Sequence, residues 1–469
     1  MRVFNNDAMK KTVLTMVMAG AVSCGLGAQE IGEGQLSMIR ESFALSQEDV
    51  GRMNAISANY DLRKLAVDRS RQGKTDHFFK YRVNVSGITD QHQSGRCWMF
   101  TSMNVLRPSV MEKFGIGEFD FSHNYCYFWD LFEKSNLFLE NVIRTADEDI
   151  IMDRDVAWYF QNPVNDGGVW NSFLNVADKY GVVPDTVMPE TAHSDNTSML
   201  TSFLNEYLRK EGYALREMIS GGASVKKARE YKIEAMKGVY RMLALCLGEP
   251  PAEFTWRYRT RDGEIKSLTS TPLEFYKSIV PEGYGCDEYI MVMHDPTRPY
   301  YKVYEIENYR NTYEGVNWRY LNLPLDEIKA SAIASIKADE ALYASCDISR
   351  YYKSDEGVAD PEIYDFEALM GMDFEIHDKK ARILTRQSGS AHAMTLIAVD
   401  TDDEDRPVKW QFENSWGPSA GHEGYYTFTD SWFDEYMFRM VIEKKYLSGK
   451  ALEALGSGPV MLPAWDYMF

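Results

Sequence analysis

Apolar residues recur at three- and four-residue intervals through two long stretches, Met199–Lys210 and Ala223–Leu247. The same spacing opens more briefly at Trp98, Met99, Met103 and Leu106. This period keeps one helix face apolar and predicts helices in all three places. From about residue 286 the pattern shortens into strand-like runs: Tyr289–Met293, Tyr301–Glu307, Ala341–Cys346 and the apolar segment that follows His392. Trp410–Glu413 alternates, and Asp402-Asp403-Glu404-Asp405-Arg406-Pro407 between the last two runs reads as a polar hairpin tip. A helix-rich part therefore precedes a strand-rich part. Residues 29–75 are polar and charged, with a helical stretch at Ser46–Arg52.

Within this frame the chemistry concentrates in three short segments. In Gln91-His92-Gln93-Ser94-Gly95-Arg96-Cys97-Trp98, Gly95 permits a sharp turn and Cys97 begins the first apolar helix. A thiol at a helix N-terminus faces the positive end of the helix dipole, which favours thiolate. Gln91 offers a neutral amide donor to the same place, suiting attack on a carbonyl with stabilisation of the oxyanion. The other segments are Ser390-Ala391-His392-Ala393-Met394 and Glu413-Asn414-Ser415-Trp416-Gly417. Two antiparallel strands joined by the Asp402–Asp405 tip would hold His392 and Asn414 side by side. Cysteine, histidine and asparagine then serve as nucleophile, general base and the group that orients the base.

Ser94-Gly95-Arg96-Cys97-Trp98, Ala391-His392-Ala393-Met394 and Glu413-Asn414-Ser415-Trp416-Gly417 together resemble the bleomycin hydrolase / aminopeptidase C branch of the papain-like cysteine peptidases. Phe121-Ser122-His123-Asn124-Tyr125, Asp166-Gly167-Gly168-Val169-Trp170, Lys179–Pro184 and the Leu462-Pro463-Ala464-Trp465-Asp466 tail extend the likeness. The resemblance implies an α+β papain-like fold: an N-terminal arm (29–75), a helical half with Cys97 (76–194), a helical insertion (195–285), a β-rich half with His392 and Asn414 (286–455) and a C-terminal arm (456–469). It implies Cys97, His392, Asn414 and Gln91 as catalytic residues, with Gly167 and Gly168 as a turn that meets the substrate backbone. It places the C-terminal arm in the cleft, with the Phe469 carboxylate facing the substrate's α-ammonium group. Tyr467 stands where the family has proline. The implied activity is removal of N-terminal residues from peptides, with no cofactor, in a homohexamer. Two alternatives stay open: an endopeptidase with an ineffective arm, and a catalytically silent exported binding protein.

Composition narrows this in two ways. The chain has 469 residues, 45% of them hydrophobic, enough for a large core, and its formal net charge of −19 speaks against a nucleic-acid surface. Residues 1–28 read as an export signal: Lys10 and Lys11, an apolar run from Thr12 to Gly25, then small residues to Ala28. That run is too short to span a membrane stably. A periplasmic or extracellular location is expected, with a lipid anchor at Cys24 as the alternative. Cys126, Cys246, Cys286 and Cys346 lack metal-ligand spacing and are expected as buried free thiols.

Overall fold

A computed structural model describes residues 30–43, 46–85 and 87–467; the leader and Phe469 lie outside the described residues. The chain forms two compact units, Met1–Leu65 and Ala66–Phe469. The first carries the helices Glu33–Ser42 and Gln47–Ser57, neither of which buries a residue. Ser46 caps the second: its hydroxyl accepts the Asp49 N–H (3.0 Å), and the Asp49 carboxylate accepts the Ser46 N–H (3.2 Å).

The second unit holds the site. Its helical part is built on Cys97–Phe114, His123–Arg144, Trp170–Tyr180, Ser198–Ser220 and Val225–Leu247. The last two, the long helices foreseen from the apolar spacing, pack on His123–Arg144. Their apolar faces share one core with Phe128, Leu131 and Phe138. The stretch read as helical also contains a hairpin, Phe254–Arg259 paired with Ile265–Ser270. Phe254 and Trp256 are buried there while Thr255 and Arg257 are exposed, the two-residue period of a half-buried strand.

A twelve-stranded mixed sheet makes the other part. Met437–Glu443, Leu342–Cys346, His392–Thr401, Pro407–Glu413 and Tyr425–Thr429 lie side by side, each antiparallel to the next. The polar tip does join two antiparallel strands, in a register that sets Thr395 opposite Glu413. The starting end of the first strand thus meets the finishing end of the second. The Cys97–Phe114 helix packs across the His392–Thr401 strand.

One buried ion pair ties this helix to the strand that precedes Asn414. Arg107 meets the Glu413 carboxylate and donates to Asn104 Oδ1 and the Gly87 carbonyl, both at 3.0 Å. Neither side chain is more than 1% exposed. Burial pushes the Glu413 carboxyl above its usual range, and the Arg107 charge pulls it back. Arg107→Met strands that carboxylate in the interior and is expected to cost about 3–5 kcal/mol, read as a fall in the urea midpoint at pH 7. An unchanged midpoint would show that the pair contributes nothing net.

Candidate active site

Cys97 is the first residue of its helix, and the carbonyl of Arg96 before it accepts the N–H groups of Met99 (2.9 Å) and Phe100 (3.1 Å). The turn is clamped from both sides. The fully buried Arg96 guanidinium donates to Glu190 Oε2 (2.9 Å), the Ser194 carbonyl (2.7 Å) and Ser94 Oγ (3.1 Å). The Asp166 carboxylate accepts the Gly95 N–H at 2.6 Å, and its carbonyl accepts Trp98 Nε1 at 2.9 Å. A Cβ on Gly95 would lie 2.4 Å from Asp166 Oδ1, so only glycine allows this approach.

His392 opens its strand, buried. Its Nε2 donates to Asn414 Oδ1 at 2.7 Å, and the Ser415 N–H donates to the same oxygen at 2.8 Å. That oxygen fixes the tautomer: Nε2 carries the proton and Nδ1 keeps its lone pair. The Trp416 ring covers the imidazole, centroid to centroid 4.7 Å. Cys97 and His392 line one cavity of about 170 Å³. Sequence positions far apart, Cys97, His392 and Asn414, are thus brought to one place.

The electrostatics differ from the sequence-based expectation for the thiol. Burial pushes the Cys97 pKa above its ordinary value; the N–H groups of Ala393 and Trp98 and the Arg439 charge oppose the rise without cancelling it. Desolvation outweighs the helix terminus. Burial likewise lowers His392 to about 4, with the Asn414 hydrogen bond pulling the other way. Both shifts favour the uncharged forms, thiol and imidazole.

The His392 shift carries a stability consequence. The folded protein binds this proton more weakly than the unfolded chain, whose histidine titrates near 6.5. The contribution is complete above pH 6.5 and is lost as pH falls through 4, on the order of 3 kcal/mol. His392→Gln is expected to flatten the decline in urea midpoint between pH 7 and 4. Parallel declines in the two proteins would refute it.

Gln91 is buried and is not among the residues lining this cavity. Its Oε1 accepts Ser415 Oγ at 2.6 Å, and its Nε2 donates one hydrogen to the Ser94 carbonyl at 2.6 Å. Gln91 N–H also donates to the Ser415 carbonyl (2.8 Å), so the amide is fixed to the segment that carries Asn414. Gly167 and Gly168 line the cavity. Gly167 is committed internally, its N–H to Asn165 Oδ1 (2.9 Å) and its carbonyl to Lys134 Nζ (2.7 Å). A Cβ on Gly168 would fall 2.6 Å from Trp98 Cε2.

The same two glycines and Tyr309 border a neighbouring cavity of about 330 Å³, which Ala464 of the C-terminal arm also lines. The arm reaches it as the strand Val460–Leu462, parallel to Lys302–Ile306. Beyond it, Trp465 Nε1 donates to Asp155 Oδ1 (3.1 Å), Asp466 pairs with Arg298, and the Tyr467 hydroxyl meets Thr297 Oγ1. Sequence reasoning missed Arg439, which lines the same cavity as Cys97. Its signal was one arginine inside the apolar run Met437–Ile442.

The described cysteines are all free, but Cys286 is exposed and Cys246 half-buried, so only Cys126 and Cys346 are the buried thiols expected. One group of potential metal ligands, Glu367, Asp373 and His377, has atoms within 4.8 Å of one another. It is largely exposed and lines neither cavity.

A family model for the Peptidase C1-like family matches residues 33–469. The chain belongs to that family. Human bleomycin hydrolase is 36% identical to this Peptidase C1-like chain over 422 residues, 88% of this chain and 92% of the human one. Aminopeptidase C of Lactobacillus delbrueckii subsp. lactis is 38% identical over 410 residues, 86% of this chain and 90% of its own. The crystal structure of PepW from Lactobacillus rhamnosis matches with a TM-score of 0.89 at 34% identity, over 94% of this chain and 99% of that one. The fold is papain-like, and the family resemblance read from the motifs holds.

Proposed function

We propose that this chain is a cysteine aminopeptidase that releases N-terminal residues from peptides through a Cys97 thioester. The observation that carries the reading is the His392 tautomer: Nε2–H bound to Asn414 leaves the basic Nδ1 in the cavity that Cys97 lines. The Cys97 thiol gives its proton to Nδ1, and the thiolate attacks the scissile carbonyl carbon. The oxyanion takes the Cys97 N–H, which has no partner one turn back, and the second Nε2 hydrogen of Gln91. The intermediate collapses as His392 protonates the leaving amine. Water, deprotonated by His392, then cleaves the thioester, and His392 returns that proton to the released sulfur. Gly168, whose main chain makes no hydrogen bond among the described residues, offers its backbone to the substrate.

The exopeptidase character rests on the arm. Ala464 borders the cavity next to the nucleophile's, where residues preceding the scissile one would lie in a longer substrate. An arm docked there favours a free α-amine at the cut residue, a reading supported by the relatives named aminopeptidase C. We retain export through residues 1–28 and a homo-oligomer as part of this proposal, tested by cell fractionation and light scattering. The deciding experiment is hydrolysis of fluorogenic aminoacyl amides under reducing conditions, free and N-acetylated in parallel, with Cys97→Ser as control. Thiol-dependent cleavage of the free-amine substrates alone is expected. Equal cleavage of both would make the enzyme an endopeptidase.

A further inference from the structure

Arg439 is a buried cation with no carboxylate partner among the described residues. It is 7% exposed and lines the 170 Å³ cavity with Cys97 and His392. Its Nε donates to Ser390 Oγ at 2.9 Å and its Nη2 to the Ser390 carbonyl at 3.0 Å, while the guanidinium lies 4.7 Å from the Trp318 ring centroid. Nη1 has no protein hydrogen bond among the described residues. Arg96, Arg107 and Arg382, buried to a similar degree, each face a glutamate. Arg216 lacks a carboxylate as well, but it caps the Thr145 and Glu148 carbonyls outside this cavity. Among the described residues, the titratable groups that sense Arg439 include Cys97, Tyr309, Tyr343 and Cys346, none of them a carboxylate.

A buried charge in a protein is ordinarily compensated, because desolvation is costly. A fork of donors with no carboxylate partner among the described residues, at the edge of a substrate cavity, is suited to an anionic group of the substrate. We propose that Arg439 is a specificity-determining residue that binds the side-chain carboxylate of an aspartyl or glutamyl residue supplying the acyl group to Cys97. This rests on the peptidase reading above and names its substrate class: peptides with an acidic N-terminal residue. Glutamine matches glutamate in shape and lacks only the charge. A lysyl residue would bring a second cation to the same place.

The test is kcat/KM at pH 7.5 for glutamyl, glutaminyl and leucyl amides with the wild type, Arg439→Gln and Arg439→Lys. The wild type is expected to favour glutamyl over glutaminyl by at least about tenfold. That ratio should fall to within about twofold in Arg439→Gln, whatever becomes of the leucyl rate, and partly return in Arg439→Lys. A wild-type ratio near one overturns the inference even if neither variant folds. So does an Arg439→Gln enzyme that slows on all three amides with the ratio intact, since Arg439 would then serve the fold or the thiolate. If the leucyl amide is cleaved and the acidic preference is missing, the peptidase reading survives alone. If the reduced wild type cleaves none of the three, that reading falls and takes this one with it.

Discussion

His392→Ala is expected to lower kcat/KM by roughly four orders of magnitude, with the fold and the Cys97 turn intact. The size of the loss follows from the state of the nucleophile. Burial holds the Cys97 proton more tightly than in a free thiol, so the helix terminus does not by itself supply a thiolate at neutral pH. The N–H groups of Ala393 and Trp98 aid the anion once it forms, but something must first receive the proton. His392 Nδ1 is the base available in that cavity, and the same proton is later needed by the leaving amine. Its removal therefore touches acylation twice and deacylation twice. Iodoacetamide provides a second reading: the variant should be alkylated at Cys97 only as pH rises past the ordinary thiol range, while the wild type reacts at lower pH. A loss of less than tenfold in kcat/KM, or coincident alkylation profiles, would remove His392 from the role of base.

The geometry of the candidate site was legible in the sequence where local pattern and chemistry coincided. Cys97 lies two residues after Gly95 and begins an apolar helix; His392 and Asn414 sit at facing ends of two strands joined by a charged tip. Each motif is short, and the strand register needs only the polar tip to bring the ends together. Features set by distant packing were less legible. The helix-terminus argument for Cys97 is local, whereas the desolvation that outweighs it depends on burial among residues distant in sequence. The amide of Gln91 was read as a free donor, yet Ser415, more than three hundred residues on, fixes it from behind. Arg439 belongs to a strand whose pattern says only that it is buried. The Phe254–Ser270 hairpin was hidden by the long helices on its N-terminal side, although its two-residue alternation and Asp262-Gly263 were present. Gly263 has φ 91°, a left-handed turn conformation that suits glycine.

The second large effect is expected at the C-terminal arm, where Arg298→Ala should raise the ratio of N-acetylated to free-amine cleavage by at least about tenfold. Arg298 pairs with Asp466, donates to the Tyr320 hydroxyl at 2.7 Å and lies 4.6 Å from the Tyr467 ring centroid. The Asp466 side chain is 5% exposed. Without the guanidinium its carboxylate is held in a dry site with its main countercharge gone, a state that typically costs 3–5 kcal/mol. The cheapest relief is for the arm to leave, because the three residues of Val460–Leu462 are partly exposed and form only a short edge strand. A penalty of 1.4 kcal/mol spent on undocking already changes the docked fraction tenfold. Two further variants separate this from general damage. Asp466→Asn removes the charge without stranding one, so its ratio should rise less. Combining it with Arg298→Ala should bring the ratio back toward that of Asp466→Asn, since the charge stranded on the arm is gone; Asp295, which also loses Arg298 at 3.7 Å, lies outside the arm and is stranded in both Arg298 variants. A ratio in Arg298→Ala that matches the wild type, with normal free-amine turnover, would mean that the Arg298–Asp466 pair does not hold the arm, and that the choice of free amines is made elsewhere in the cleft.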